Sequence, residues 1–352
     1  MIGDAPRRGV GGGTIPLRAA DPATRWSDDP LPFDELPGAS DPETGFVATA
    51  NNLPTSTGAY LGSDFLDGYR VSRITELLGA RTDWDVAAVL AMQLDRQSIP
   101  WREMRPAVLA AAEEASDLHQ VAGLLGAWDG VVGTDSAAAT VFEVFVATMA
   151  RQVAEAKAPR SASYALGEGF TALIPFNALV VRRVSHLVRL LRDRPGDWFA
   201  DGWDEAIRAA LRQARDTITA RLGPEPDKWH WGRVRPLRFR HPLGVRRSLA
   251  RVFDLGPMPH GGDANTINPA PVAPMDPLGN PDFAVASLRM VVDVGAFERS
   301  RFALPGGQSG NPFSPHYADQ LPLWQKGDGL TVVQDPDEVT RVTQHSLRLQ
   351  PS

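Results

Sequence analysis

Cysteine is absent from this 352-residue chain, and its absence excludes disulfides, thiolate metal sites and a cysteine nucleophile together. Lysine is scarce: Lys157, Lys228 and Lys326 are the three among 36 basic residues. We attribute that skew towards arginine to a GC-rich genome, and it carries no functional information. A basic footprint is also missing. The net charge of −6 argues against a nucleic-acid partner, which needs a concentrated cationic face to neutralise phosphates. No uninterrupted apolar run approaches bilayer-crossing length, so a membrane-spanning role is not expected. Residues 1–13 lack the apolar core of a secretory leader, so the chain as written is expected in the cytoplasm.

What is present is the composition of a folded protein, with 43% hydrophobic and 22% charged residues. Residues 1–42, rich in Gly, Pro and Asp, read as an extended arm with Trp26, Leu31, Phe33 and Leu36 as isolated anchors. The run Gly11-Gly-Gly-Thr14 is no phosphate loop, because the Lys-Ser/Thr ending that would grip phosphate and metal is missing. Helical periodicity dominates from about residue 65 to 222. Val71, Ile74, Leu77 and Leu78 recur at helical spacing before Gly79, and Thr82 with Asp85 reads as an N-cap pair for Val86, Val89, Leu90 and Leu94. Asp135-Ser136 caps a long helix carrying Val141, Phe142, Phe145 and Met149, and Leu179 to Leu191 repeats the pattern. A last helix carries Ile207, Leu211, Ala214, Ile218 and Leu222, ended by Gly223-Pro224.

From about 229 to 348 the pattern changes to short alternating runs among loops. Arg238 to His241 alternates as a half-buried strand would, and Leu288, Met290 and Val292 alternate with Arg289, Val291 and Asp293. Arg301 to Leu304 reads as a hairpin partner. Earlier, Gly45-Phe-Val-Ala-Thr-Ala-Asn51-Asn52 has strand-compatible residues running into two amides. Strands at both ends with helices between them predict one mixed sheet in an α+β fold. The plain reading of Asn51-Asn52 is a turn, since asparagine tolerates the left-handed region and bonds its own backbone.

Single motifs carry little. The seven histidines have no i,i+4 pair of the helical zinc type. Gly307-Gln-Ser309-Gly-Asn311 approaches a nucleophile elbow, but Asn311 stands where glycine is needed. His260-Gly-Gly-Asp263 could suggest a metal, though a polar-flanked Gly-Gly turn needs none.

The ordered set is more specific. Phe46 to Asn52, Gly68-Tyr-Arg70, Trp231-Gly232, Gly261-Gly-Asp-Ala-Asn-Thr266, Pro305-Gly-Gly-Gln-Ser-Gly310 and His316-Tyr-Ala-Asp319-Gln320 follow one another along the chain. From about residue 14 to 348 this order resembles the penicillin acylase family, in the C-terminal part of its large catalytic subunit. The resemblance implies a partial N-terminal-nucleophile hydrolase αββα sandwich with a large helical middle segment, occupying residues 43–348. It also implies hydrolysis of a small-molecule amide by an N-terminal serine whose own α-amine is the base. By motif match, Asn51 falls where the family keeps its oxyanion-hole asparagine and Arg70 on its active-site arginine. Asp64 falls near a carboxylate that binds a structural calcium in some members; an ordinary loop acid is the competing reading. No other cofactor is implied.

One feature departs from the family. No residue before Asn51 forms the self-cleavage junction that would expose the nucleophile; Ser40, and Ser63 beyond Asn51, follow small residues but precede Asp41 and Asp64. The expectation is a portion that contains no nucleophile and pairs with an upstream α subunit and an N-terminal β segment. As part of such a precursor it would be periplasmic or secreted. The alternative is a non-catalytic binding protein that reuses the fold.

Overall fold

The computed structural model describes residues 5–7, 17–171, 174–177, 184–279 and 285–350. The Gly11 to Thr14 run and the first residues of the expected Leu179 to Leu191 helix lie outside these. Twelve helices are described: α1 (Tyr69–Gly79), α2 (Val86–Met92), α3 (Ile99–Glu113), α4 (His119–Gly126), α5 (Ala137–Lys157), α6 (Ala162–Ala165), α7 (Val184–Asp193), α8 (Gly202–Leu222), α9 (Trp231–Val234), α10 (Arg247–Phe253), α11 (Leu321–Lys326) and α12 (Pro336–Val342).

Local chemistry accounts for their ends. Asp85 caps α2 by accepting from the Ala88 N–H at 2.7 Å, and Ser136 caps α5 through the Ala139 N–H at 3.0 Å. The expected Thr82–Asp85 pair therefore reduces to Asp85, and Leu94 lies beyond α2. Ser98 caps α3 with Pro100 in its first turn, and α8 stops where Gly223 turns to φ +89°. α5 packs along α8 and against α4, while α3 crosses α4, α7 and α8. At their centre Trp101, Trp128 and Phe142 meet with ring centroids 5.2 to 5.4 Å apart. Contrary to the expectation from apolar runs, α5 is long and apolar enough to cross a bilayer by length and composition. Here it is a core helix, with 61% of its most apolar window buried.

The expected single mixed sheet does not form among the described residues. The strands are β1 (Ala5–Pro6), β2 (Pro30–Leu31), β3 (Glu168–Thr171), β4 (Ile174–Phe176), β5 (Leu237–Phe239), β6 (Leu255–Met258), β7 (Arg289–Val291), β8 (Arg301–Ala303) and β9 (Leu330–Thr331). They pair locally and antiparallel as β1-β2, β3-β4, β5-β6 and β7-β8-β9. Phe46 to Ala50 is irregular and joins none of them. Its residues have strand character but no described strand beside them to complete a ladder. Trp231 opens the short helix α9, which leads into β5, the observed part of the expected Arg238 to His241 strand.

In β7 the period-two alternation holds, with the apolar face outward. Leu288, Met290 and Val292 are 46, 51 and 44% exposed, whereas Arg289 and Val291 are buried. The buried guanidinium donates to the Trp324 carbonyl and to Asn268 Oδ1 at 2.8 Å and lies 4.3 Å from the Trp324 ring centroid, while its Nε is left without a hydrogen-bond partner. Leu237, Ala303 and Trp324 form the small core of this region.

Candidate active site

The Asn51–Asn52 pair adopts its turn conformation. Asn51 has φ +60°, a region that asparagine tolerates, and its carbonyl accepts from the Leu66 N–H at 2.8 Å. Asn52 Oδ1 closes the turn by accepting from the Ala50 N–H at 3.0 Å. Turn geometry and a chemical role are thus compatible, because the turn uses the Asn51 backbone and leaves its side chain free to be directed elsewhere.

That side chain is directed by Arg70, in the first turn of α1. Arg70 Nη2 donates to the Ala50 carbonyl and to Asn51 Oδ1, both at 2.8 Å. A guanidinium can only donate, so the accepting amide atom is the oxygen and Asn51 Nδ2 keeps its two N–H groups. Burial lowers the Arg70 pKa, but the group stays cationic. Its helix is held from two sides. Tyr69 is buried, with its hydroxyl donating to Glu103 Oε2 at 3.2 Å. Arg73 reaches the Asp95 carboxylate through Nε at 3.1 Å and Nη2 at 2.8 Å.

Asn51 and Arg70 open onto a cleft of about 630 Å³, lined also by Thr49, Phe65, Ile74 and Ile267. An exposed amide donor beside an apolar wall is an arrangement that could stabilise negative charge on a bound carbonyl oxygen. Asp64 stands on the rim of the same cleft. A calcium ion takes six to eight oxygen ligands, and no cluster of three or more Asp, Glu, His or Cys occurs among the described residues. The residues present do not fit a calcium site, and no step is routed through one.

The other motifs lie elsewhere. His316 Nδ1 pairs with Asp319 Oδ2 at 2.8 Å on the surface, and the Ser309 hydroxyl accepts from the Asn311 N–H at 3.1 Å. Among the described residues no hydrogen bond joins that hydroxyl to the His316 ring. His260 is buried and stacks on Trp324 with ring centroids 5.4 Å apart. Burial, reinforced by Arg96, Arg289 and Arg235, drives its pKa down to about 3.

Sequence reasoning missed one residue of the cleft and one buried acid away from it. Ile267 enters it from a loop some two hundred residues away, and no periodicity signals that. Glu143, inside α5, is buried against Asp263. Burial first and the Asp263 charge second push its pKa well above the usual carboxyl range.

Residues 1–341 match the penicillin amidase family. The chain belongs to that family. Among curated proteins it is 29% identical over 342 residues to the penicillin acylase 2 proenzyme of Pseudomonas sp. (strain SE83), covering 94% of this chain and 42% of that protein. The acyl-homoserine lactone acylase QuiP of Pseudomonas aeruginosa is 27% identical over 382 residues, covering 97% of this chain and 43% of that protein. The chain therefore spans less than half the length of the curated relatives it matches. A thermostable penicillin G acylase from Alcaligenes faecalis superposes with a TM-score of 0.61 at 19% identity, covering 99% of this chain and 65% of that one. The penicillin amidase family member described here thus has the α+β fold of an N-terminal-nucleophile hydrolase.

Proposed function

We propose that this chain is the C-terminal portion of an acylase that hydrolyses the acyl amide bond of a small molecule of the β-lactam or acyl-homoserine-lactone type. In this reading Asn51 Nδ2 donates to the oxyanion of the tetrahedral intermediate, and Arg70 orients it. In this reading the N-terminal serine nucleophile is supplied by a segment outside these residues. The observation that supports the reading most is the Arg70–Asn51 hydrogen bond at 2.8 Å on the wall of the cleft. Removing one oxyanion donor costs on the order of 10²–10³ in kcat where the group acts as proposed.

The test is turnover of a chromogenic aryl-acetyl amide by this chain alone and mixed with a nucleophile-bearing companion polypeptide. The chain alone is expected to be silent and the mixture active, with Asn51→Ala reducing kcat on that scale while the assembly still forms. Turnover by the pure chain, or full activity of the assembled Asn51→Ala variant, would overturn the reading.

A second reading, a non-catalytic interaction protein, is favoured by one observation: the outward apolar face of β7. A mixture that associates yet never turns over substrate would select it.

A further inference from the structure

The loop His260 to Asn268 contributes no residue to the chemistry proposed above, although it contains one of the chain's most recognisable motifs. Asp263 organises it as a turn. Its Oδ1 accepts from the Asn265 and Thr266 N–H groups at 2.6 and 2.9 Å, and the Thr266 hydroxyl donates onward to the Asn268 carbonyl at 2.8 Å. Gly262, at φ +87°, donates its N–H to the Val132 carbonyl at 2.7 Å and accepts from Trp231 Nε1 at 3.0 Å. A side chain at Gly262 would strike the Asn268 carbonyl and the Thr266 hydroxyl. The loop is therefore fixed at both ends, and it delivers Ile267 to the cleft opposite Asn51 and Arg70.

The far end of the loop and helix α1 meet at one residue. The Asp95 carbonyl accepts from the Asn268 N–H at 2.9 Å. Its carboxylate receives both Arg73 donors and the Gln97 N–H at 3.1 Å. Arg73 lies on α1 between Arg70 and Ile74, the two helix residues that line the cleft. The Arg73 and Asp95 side chains are each only 17% exposed, so this bidentate pair is worth more than a solvated surface bridge.

We propose that Asp95 is a positioning residue of the cleft. Its main chain registers the loop carrying Ile267, and its carboxylate registers the helix carrying Arg70. A single residue thereby sets the spacing between the amide donor and the apolar wall of Ile74, Phe65 and Ile267. That wall takes an apolar group of the substrate beside the scissile amide. The inference rests on the reading of Asn51 as an oxyanion donor only for its catalytic consequence; the mechanical coupling is independent of it.

Two measurements test the coupling and the consequence separately. The first is amide hydrogen exchange on the chain itself. In Asp95→Ala, the Leu66, Asn268 and α1 amides should exchange about tenfold faster or more through local opening, while α5 and α8 keep their protection. Asp117→Ala, which removes the carboxylate partner of Arg212 at 2.9 Å away from the cleft, is the control and should leave those amides unchanged. Asp95→Asn serves if the alanine variant does not fold, with the same pattern at smaller amplitude. Exchange that rises uniformly, or only at residues 95–97, would overturn the proposal.

The second is a double-mutant cycle in the assembled enzyme. If Asp95 acts through Arg70 and Asn51, Asp95→Asn should lower kcat/KM about tenfold in the wild-type background and hardly at all beside Asn51→Ala, because coupled residues are non-additive. Fully additive effects would make Asp95 a merely structural residue and overturn the proposal. An assembly without turnover would count against the proposed function, and the exchange result would still decide the coupling.

Discussion

The helical region and the strand region are stabilised by different means. Between α3 and α8 the core is a continuous apolar body in which Val108, Phe142, Phe145, Ile207 and Leu211 are almost wholly buried. Between β5 and β9, Val272 and Leu278 join that body, and the separate small core is Leu237, Ala303 and Trp324, with two nitrogenous side chains, Arg289 and His260, packed on the faces of that tryptophan. Stability in the first region comes from apolar area shared over many side chains. In the second it depends on one indole that serves as core and as the partner of both nitrogenous groups. Each region also buries an ionisable group in its neutral form: Glu143 beside Asp263 and Arg235 in the first, and His260 beside Arg96 and Arg289 in the second.

The largest effect should come from removing the indole. Trp324→Ala is expected to cost about 3–5 kcal/mol as a large-to-small core change, and Phe142→Ala falls in the same range. The two should differ in what comes apart. Trp324→Ala should expose β7 and β8 to exchange and proteolysis while α5 and α8 remain protected, whereas Phe142→Ala should lower the protection of α3, α5 and α8 together. If β7 and α8 lose protection in step in both variants, the two regions are one cooperative unit and the contrast fails.

Next come the opposite pH dependences. The folded-state pKa of Glu143 is raised, so its contribution to stability is present below the unfolded value of about 4.3 and lost as pH rises towards the folded value. The folded-state pKa of His260 is lowered to about 3, so its contribution is present above about 6.5 and lost as pH falls towards 3. Each proton bound differently by the folded and unfolded states changes stability by about 1.4 kcal/mol per pH unit. Denaturant titrations should therefore show Glu143→Gln gaining on the parent towards alkaline pH. His260→Phe keeps a ring against Trp324 and should gain towards acid pH. Parallel curves for parent and variant would show that the group does not titrate differently on unfolding.

The same contrast explains how much was legible in the sequence. The helices could be read because α1, α5 and α8 carry long 3.6-residue patterns with local caps, and both the pattern and the cap lie within one segment. Asn51 and Arg70 could be placed because they sit in an ordered set of motifs only 19 residues apart, and the structure joins them by a hydrogen bond. The pairing of β7 with β8 could be read from two short alternating runs, but the single mixed sheet could not. The strands are two to four residues long, and their pairing depends on which distant piece lies alongside. Ile267 and Asp95 were invisible for the same reason, since Ile267 lines the cleft from a distant loop and Asp95 is tied to it through two distant partners, Asn268 and Arg73. Glu143 was hidden because an acid flanked by apolar residues in a long helix looks like a solvent-facing position until Asp263 arrives from a distant part of the chain.

The smallest expected effect concerns the two faces of β7. Met290 is half exposed and lies in register with Phe302, which in turn is opposite Leu330, so the three side chains form one outward apolar row. Val291, one residue along, is buried. Met290→Thr keeps a strand-forming residue and removes little buried area, so stability should change by no more than about 0.5 kcal/mol. Val291→Thr places a hydroxyl where an apolar group is packed and should cost clearly more. Association should respond in the reverse order. If the outward row is a contact surface, Met290→Thr weakens binding to the companion polypeptide or lowers self-association in sedimentation, while Val291→Thr leaves a folded protein's association unchanged. A Met290→Thr variant that loses stability as Val291→Thr does would mean that this face is packed in solution and that the strand has no free side.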